Sequence, residues 1–196
     1  MCTEYIHRHI RRLPARQIVT TRELLQYGSR AAVDQALYRM VKSKFLRRLA
    51  RGVFLRDANF KPSAKDIAYA KAAAFGRRLI KHAAATLSEL GFQNSRLNLE
   101  TNFAVDTDSS SFWTIWGRIY LHAIGPRKFS LASSVIGERV YALWHLGASR
   151  CRSEHVTVAS RSLRRTEREE LRHLARFMPA WLHELYMLRY PAPHII

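Results

Sequence analysis

The residues whose side chains are best suited to recognition chemistry lie in two short segments, residues 29–44 and 47–51. The first segment contains side chains that can bond the edges of bases, since Gln pairs with adenine and Arg with guanine in bidentate geometry. The second contains Arg47, Arg48 and Arg51. A guanidinium group is a permanent planar cation that suits phosphate oxygens. The two segments therefore indicate recognition of an anionic partner, and the chain is expected not to be an enzyme.

The apolar residues of positions 30–43 repeat at helical spacing. Val33, Leu37 and Met40 fall on one stripe, which predicts a helix with this stripe turned inward. The opposite face and its flanks supply six predicted base-reading residues, Ala31, Gln35 and Tyr38 on the face and Arg30, Asp34 and Arg39 on the flanks. Ala31 can pack on a thymine methyl group, and Asp34 can accept from cytosine or orient a neighbouring arginine. A solvated helix surface has the same pattern, so the set supports the hypothesis better than any single member.

A second set of side chains is predicted to contact DNA phosphates. Its members are Ser29, Lys42, Lys44, Arg47, Arg48 and Arg51. Ser29 is the expected N-cap of the helix, where backbone N–H groups point outward and attract phosphate. The basic residues follow in and after the helix, where a solvated charge run is the alternative interpretation.

The surrounding elements predict a winged helix-turn-helix. A first helix is expected over residues 3–13, and Thr20 with Glu23 forms a capping-box pattern at the start of a short second helix. Gly28 suits a left-handed residue at the end of that helix. After the third helix, two short β-capable runs joined through Gly52 predict an arginine-bearing hairpin, which would be the wing.

The remainder of the chain predicts a second domain of mixed structure. Strands are expected over 96–105 and 112–124, joined by a polar turn at 106–111, and helices over 132–146, 166–178 and 180–188. A Thr166/Glu169 capping box is predicted to open the middle one of these helices. The expected fold class is α+β, with a winged helix-turn-helix at 1–57 and a C-terminal domain with a small sheet and C-terminal helices at 62–196.

Charge narrows the class of partner. The chain has 33 Lys+Arg and 15 Asp+Glu, a net of +18, and residues 1–56 account for 13 of the basic and 3 of the acidic residues. Such an excess favours nucleic acid, and the basic stretches lack the broad apolar face that membrane binding needs. The two cysteines, the charged N-terminus and the lack of a long apolar run predict a cytoplasmic protein without metal or cofactor.

Two other interpretations remain open. The first concerns four aromatic residues of the predicted sheet, Phe112, Trp113, Trp116 and Tyr120. They are either core residues of a strand or a platform on which bases stack, and the platform would suit an RNA-binding or nucleic-acid-modifying protein. Asp106 and Asp108 are spaced so that they could hold Mg²⁺ in a nucleotidyl-transfer enzyme. Competition between single-stranded RNA and duplex DNA separates the first interpretation from DNA binding.

The segment from Thr20 to Phe54 resembles the AbiEi-like antitoxin family. The likeness rests on the string Gly28 to Leu37 and on the wing Leu46 to Phe54, and it continues weakly in Pro62-Ser63, Gly76 to Arg78 and Met178 to Leu182. The segment Phe112–Tyr120 departs from the family pattern by its many aromatic residues.

This resemblance implies a regulator of a type IV toxin-antitoxin (abortive infection) operon. Such a protein would repress its own promoter as a DNA-binding transcription repressor, binding double-stranded DNA at repeats. Its C-terminal domain would neutralise a nucleotidyltransferase toxin without the need for a stable complex.

Overall fold

The computed structural model describes residues 2–92, 98–161 and 163–189 of the chain. It divides into two compact units, Met1–Leu79 with Ser109–Leu121, and Ile80–Asp108 with His122–Ile196. The division does not follow the expected boundary near residue 57. The strand that begins at Ser110 pairs with a strand of the N-terminal hairpin, and this pairing returns a later stretch of the chain to the first unit.

Short helices and strands alternate in the first unit. In chain order they are α1 (Cys2–Arg12), β1 (Ile18–Thr20), a 3₁₀ helix (Glu23–Tyr27), α2 (Arg30–Lys42), β2 (Arg47–Ala50), β3 (Val53–Leu55), α3 (Ala64–Ala74), β6 (Ser110–Thr114) and most of β7 (Gly117–Ala123). The core of its N-terminal part joins α1 and α2 to the strands. Buried members include Ile6, Ile10, Val33, Leu37 and Phe54.

The strands of the first unit lie side by side in the order β1-β3-β2-β6-β7. All their described pairings are antiparallel, with Thr20 opposite Val53, and Ala50 opposite both Val53 and Thr114. An irregularity in β2 between Arg48 and Ala50 shifts the register by one residue. Because side chains alternate across a strand, this shift decides which face of the sheet Arg48 occupies.

The second unit combines a strand pair with helices. Its elements are β4 (Leu79–Lys81), α4 (Ala83–Glu89), β5 (Asn102–Val105), α5 (Pro126–Leu131), α6 (Val135–Leu146), α7 (Ser153–Ala159), α8 (Arg165–Leu174), a 3₁₀ helix (Ala175–Phe177) and α9 (Ala180–Arg189). The helix α6 is central to its core, where Ile136, Val140 and Leu143 are fully buried. Each helix in the described part of the chain is too short or too polar to cross a bilayer.

The α+β class predicted from the sequence is confirmed, and several details differ. The strand expected over 96–105 occupies only Asn102–Val105 in the described residues, and its positions 96 and 97 lie outside them. The polar turn expected at 106–111 is shorter, because Ser110 and Ser111 already belong to β6. The helix expected from 132 begins at Val135, after α5.

The prediction of a Thr166/Glu169 capping box is wrong. Helix α8 begins one residue earlier, at Arg165, and the carboxylate of Glu167 accepts the backbone N–H of Arg164 at 2.7 Å. The prediction of a left-handed conformation at Gly28 is also wrong, because its φ of 165° and ψ of −178° are those of extended backbone. The second helix is a tight 3₁₀ turn, so the chain leaves it without a left-handed residue.

Candidate nucleic-acid interface

The helix α2 is held with one face inward and the other open to solvent. The hydroxyl of Ser29 caps its N-terminus and accepts the N–H of Ala32 at 3.4 Å. Val33, Ala36, Leu37 and Met40 are buried, as the helical spacing predicts. The six residues predicted to read bases are all exposed: Arg30, Ala31, Asp34, Gln35, Tyr38 and Arg39.

Two of these exposed side chains are tied together. The guanidinium Nε of Arg30 donates to Asp34 Oδ2 at 2.8 Å, one helical turn away. Both side chains remain more than half exposed, so the pair contributes little to stability. Its effect is orientation, since Asp34 fixes the direction of the Arg30 fork and leaves its outer N–H groups available.

A cleft of about 240 Å³ lies between α2 and the β2–β3 hairpin. Arg30, Asp34 and Tyr38 line it from the helix. Arg48 and Arg51 line it from the hairpin. The structure therefore brings base-reading and phosphate candidates, separated by about ten to twenty positions in sequence, to one concave surface.

The turn of the hairpin sets the position of Arg51. Gly52 has a φ of 75°, a left-handed conformation that glycine adopts without steric cost. Its carbonyl accepts the N–H of Thr21 at 3.0 Å, which joins the tip of the hairpin to the segment before the 3₁₀ helix. Arg51 is thereby held beside the N-terminal end of α2, in the same wall of the unit as Thr21 and Arg30.

Sequence reasoning missed Lys71 on α3. Its Nζ donates to the backbone carbonyl of Arg51 at 2.8 Å and lies 4.9 Å from the ring centre of Phe112. Burial lowers the pKa of this amine, and the positive charges of Arg51 and Arg48 lower it further. Three cations thus converge at the hairpin, and a bound anion would relieve their repulsion. An isolated lysine in an alanine-rich helix gives no local signal of this position.

Arg47 lies apart from the cleft. One of its terminal nitrogens, Nη2, donates to the Phe60 carbonyl, and the guanidinium carbon lies 5.2 Å from the ring centre of Trp116. Lys61 approaches the same indole at 5.5 Å. The predicted wing arginines therefore divide, with Arg48 and Arg51 at the cleft and Arg47 engaged elsewhere in the unit.

Three other predicted residues of this region do not line the cleft. Arg39 lines an open groove with residues of α1, among them Glu4 and His7. Lys42 is the last residue of α2, and Lys44 follows in the turn with a φ of 60°. Both lysines are exposed.

Within the described residues, no group of three or more His, Cys, Asp or Glu side chains is placed to hold a metal ion. The two aspartates considered for Mg²⁺ belong to the second unit, where Asp106 is half-buried and Asp108 is exposed.

Residues 5–171 match the model of a family described as a family of unknown function, DUF6088. The chain belongs to this family. The DUF6088 match includes α2, the β2–β3 hairpin, Lys71 and the β6–β7 hairpin, so every residue of the cleft lies within it. No curated protein and no solved structure matches the chain.

Positive charge is concentrated in the unit that contains the cleft. Among the residues of the first unit are 19 lysines and arginines and 5 aspartates and glutamates, a net of +14. The second unit has a net of +4. The first unit of this DUF6088 protein therefore has most of the net positive charge.

Proposed function

We propose that this DUF6088 protein is a cytoplasmic, non-enzymatic transcription repressor that binds duplex DNA through an N-terminal winged helix-turn-helix. The observation that carries the proposal is the exposed polar face of α2, which borders a cleft lined by Arg48 and Arg51. Under this proposal the 3₁₀ helix and α2 are the helix-turn-helix pair, and the β2–β3 hairpin is the wing.

The dimensions of α2 suit the major groove. Its 13 residues span about 20 Å. A single helix enters a groove about 12 Å wide, and the residues near its N-terminus then face base edges. Arg30, Ala31, Asp34 and Gln35 occupy that end of α2, and Tyr38 and Arg39 follow one turn later. We assign them direct base contacts.

The hairpin supplies a second, less selective contact. Arg48 and Arg51 are exposed at its surface, and the Nζ of Lys71 is hydrogen-bonded to the Arg51 carbonyl. Cations of this kind contact phosphates and fix the orientation of the duplex, whatever its sequence. Lys42, Lys44 and the N-cap at Ser29 extend the same type of contact along α2.

The finer part of the proposal concerns the operon. The resemblance of Thr20–Phe54 to AbiEi-like antitoxins supports autoregulation and neutralisation of a nucleotidyltransferase toxin encoded beside this gene. Co-expression with the product of the adjacent gene tests it. Rescue of growth by the full chain supports the antitoxin role, and toxicity unchanged by the full chain contradicts it while leaving DNA binding untouched.

Base reading is tested with Gln35→Ala and a matched control, Gln17→Ala, which replaces an exposed glutamine of the same unit outside the proposed helix-turn-helix pair and should leave the preference unchanged. Fluorescence anisotropy compares a duplex from upstream of the gene with a scrambled duplex. Gln35→Ala should reduce the preference between them about 5- to 150-fold, as expected for about 1–3 kcal/mol of lost base discrimination. Equal weakening on both duplexes would contradict the assignment.

Phosphate contact is tested with three arginine variants at several salt concentrations. Arg48→Ala should weaken binding to every duplex and reduce the log–log salt slope by about 0.9. Arg47→Ala and Arg165→Ala should leave the slope nearly unchanged, because the Arg47 guanidinium is engaged by Phe60 and Trp116 and Arg165 belongs to the other unit. A slope that responds equally to all three would contradict a wing contact.

A further inference from the structure

The β6–β7 hairpin presents an exposed face that duplex binding does not explain. Trp113 on β6 and Tyr120 on β7 are 68% and 40% exposed, respectively. Arg118 lies directly opposite Trp113, and Ser111 lies opposite Tyr120. Because opposite residues of paired strands point to the same side, all four belong to one face of the hairpin. We call this face the aromatic platform.

Arg118 holds the platform together. Its guanidinium carbon lies 5.7 Å from the ring centre of Trp113 and 5.3 Å from that of Tyr120. The Nε and Nη2 atoms donate to the hydroxyl of Ser111 at 3.0 and 2.7 Å. A cation fixed between two rings restricts their rotamers, so a ligand that stacks on them loses less side-chain entropy.

The exposed aromatic side chains of the platform lie outside the buried core of the hairpin. Its other face supplies the core, where Ile119 and Leu121 are 1% and 3% exposed and Phe112 is half-buried. An exposed tryptophan gives up the burial free energy of a large apolar surface. An exposed pair of aromatic rings around an arginine is therefore a candidate interaction surface.

The platform shares a side of the sheet with the cleft. Val53, Ala50 and Thr114 are paired in sequence across β3, β2 and β6, so their side chains point to one side. Phe54 and Trp113 are the neighbours of Val53 and Thr114 along their strands, and they point to the opposite side. Arg48 is paired with Phe54, so its side chain points to the same side as that of Phe54. Arg48 and Trp113 therefore lie on the same side of the sheet.

We propose that the aromatic platform binds single-stranded nucleic acid, with unpaired bases stacked on Trp113 and Tyr120. Single-stranded nucleic acid has a flat base and a negatively charged phosphate at every nucleotide, and these match the two rings and the Arg118 cation. An apolar protein partner would have to bury the charge of Arg118. The net charge of +14 on this unit also favours a polyanion. This inference goes beyond duplex binding and does not rest on it.

The test measures anisotropy of labelled oligothymidylate with the full chain and four variants. Trp113→Ala and Tyr120→Ala should each weaken binding about 5- to 150-fold, the usual effect of removing one stacked base contact. Trp113→Phe, which keeps a ring, should stay closer to wild type than Trp113→Ala. Tyr69→Ala is the matched control, since Tyr69 is an exposed aromatic residue on α3 with Lys65 over its ring, and it should have no effect.

Several outcomes would overturn the inference. Equal affinity in all variants would show that oligothymidylate binds by charge alone, and a Trp113→Phe variant as weak as Trp113→Ala would exclude stacking. A dimer seen by sedimentation without nucleic acid, and dissolved by Trp113→Ala, would assign the platform to a second copy of the chain.

The two proposals fail separately in this experiment. Loss of oligothymidylate binding in Trp113→Ala with unchanged duplex affinity supports the platform. If no duplex binds while oligothymidylate does so through Trp113, the platform is supported and the proposed repressor function is contradicted. If a duplex binds through Gln35 and oligothymidylate does not bind at all, the platform is overturned and the repressor function stands.

Discussion

Lys44 combines a strained backbone with a proposed phosphate contact. It follows the end of α2 with a φ of 60°, and its N–H donates to the Val41 carbonyl at 3.0 Å. The left-handed region costs an L-residue about 1–2 kcal/mol, whereas glycine enters it freely. The turn keeps this conformation because a further hydrogen bond, from the N–H of Leu46 to the Met40 carbonyl, closes the helix end.

Lys44→Gly should therefore raise the free energy of unfolding by about 0.5–1 kcal/mol, since the relief of strain exceeds the entropy that glycine adds to the unfolded chain. Urea denaturation measures this change. Lys42→Gly is the control and should destabilise by about 1 kcal/mol, because residue 42 is helical. A loss of stability in Lys44→Gly would contradict the backbone assignment.

His82 makes the stability of the second unit depend on pH. Its Nδ1 accepts the N–H of Ala84 at 3.2 Å as the N-cap of α4, and the rings of His122 and His145 lie within 5.1 and 5.3 Å. Burial lowers the pKa of His82 to about 4, with a further contribution from the two neighbouring histidines. Burial and the charges of Lys128 and Arg150 also lower the pKa of His145.

Because the folded-state pKa lies below the ordinary 6.5, the unfolded chain binds the proton more readily. The stabilisation by neutral His82 is complete above pH 6.5 and is lost as the pH falls from 6.5 towards 4. His82→Asn keeps a good N-cap and removes the titration. Urea denaturation at about pH 7 and 5 should show a smaller loss of stability in the variant, and an equal loss would contradict this account.

Single residues show how far the sequence alone can reach. The exposed residues of α2 were predictable because one inward stripe determines the opposite face of a helix. The engagement of Arg47 was not, because Phe60 and Trp116 are distant in sequence and only the tertiary structure brings them to its side chain. Lys71 was missed for the same reason, since its partner is a backbone carbonyl 20 positions away.

At the scale of elements, the limits of α2 and the hairpin were predicted to within one or two residues. The strand β1 was missed because three residues, Ile18–Thr20, give too short a pattern to register alternation. The aromatic platform could not be assigned to a face from the sequence. Trp113 and Phe112 differ by one position, and only the pairing register decides which of them is exposed.

The contact between α5 and α6 depends on a glycine. A Cβ atom added to Gly137 would lie 1.6 Å from the carbonyl oxygen of Leu131, so the helix could not keep its place. Gly137→Ala should destabilise by at least about 2–3 kcal/mol. Gly125→Ala is the control, since nothing lies within 4 Å of its added Cβ, and it should change stability by less than about 1 kcal/mol. Thermal unfolding that ranks the two variants equally would contradict the packing.

At the scale of the whole molecule, the excess of positive charge can be read from the sequence, whereas the division into two compact units cannot. The sequence shows the excess of basic residues before position 57, and the structure adds Lys61, Lys65 and Lys71 on or next to α3 in the same unit. The boundary could not be read from the linker near 57–62, because β6 joins the first unit by pairing with β2 from more than 50 positions away. Such long-range pairing leaves no trace in local composition.

The most direct test is hydroxyl-radical footprinting of the full chain on DNA upstream of its own gene. If α2 enters the major groove, the protein should protect a discrete segment of about one helical turn per bound copy, about 10 base pairs. Replacing Arg30, Gln35 and Tyr38 together by alanine should abolish that protection while the chain stays folded. Protection that survives the triple replacement, or no discrete protected segment in the wild type, would contradict the account.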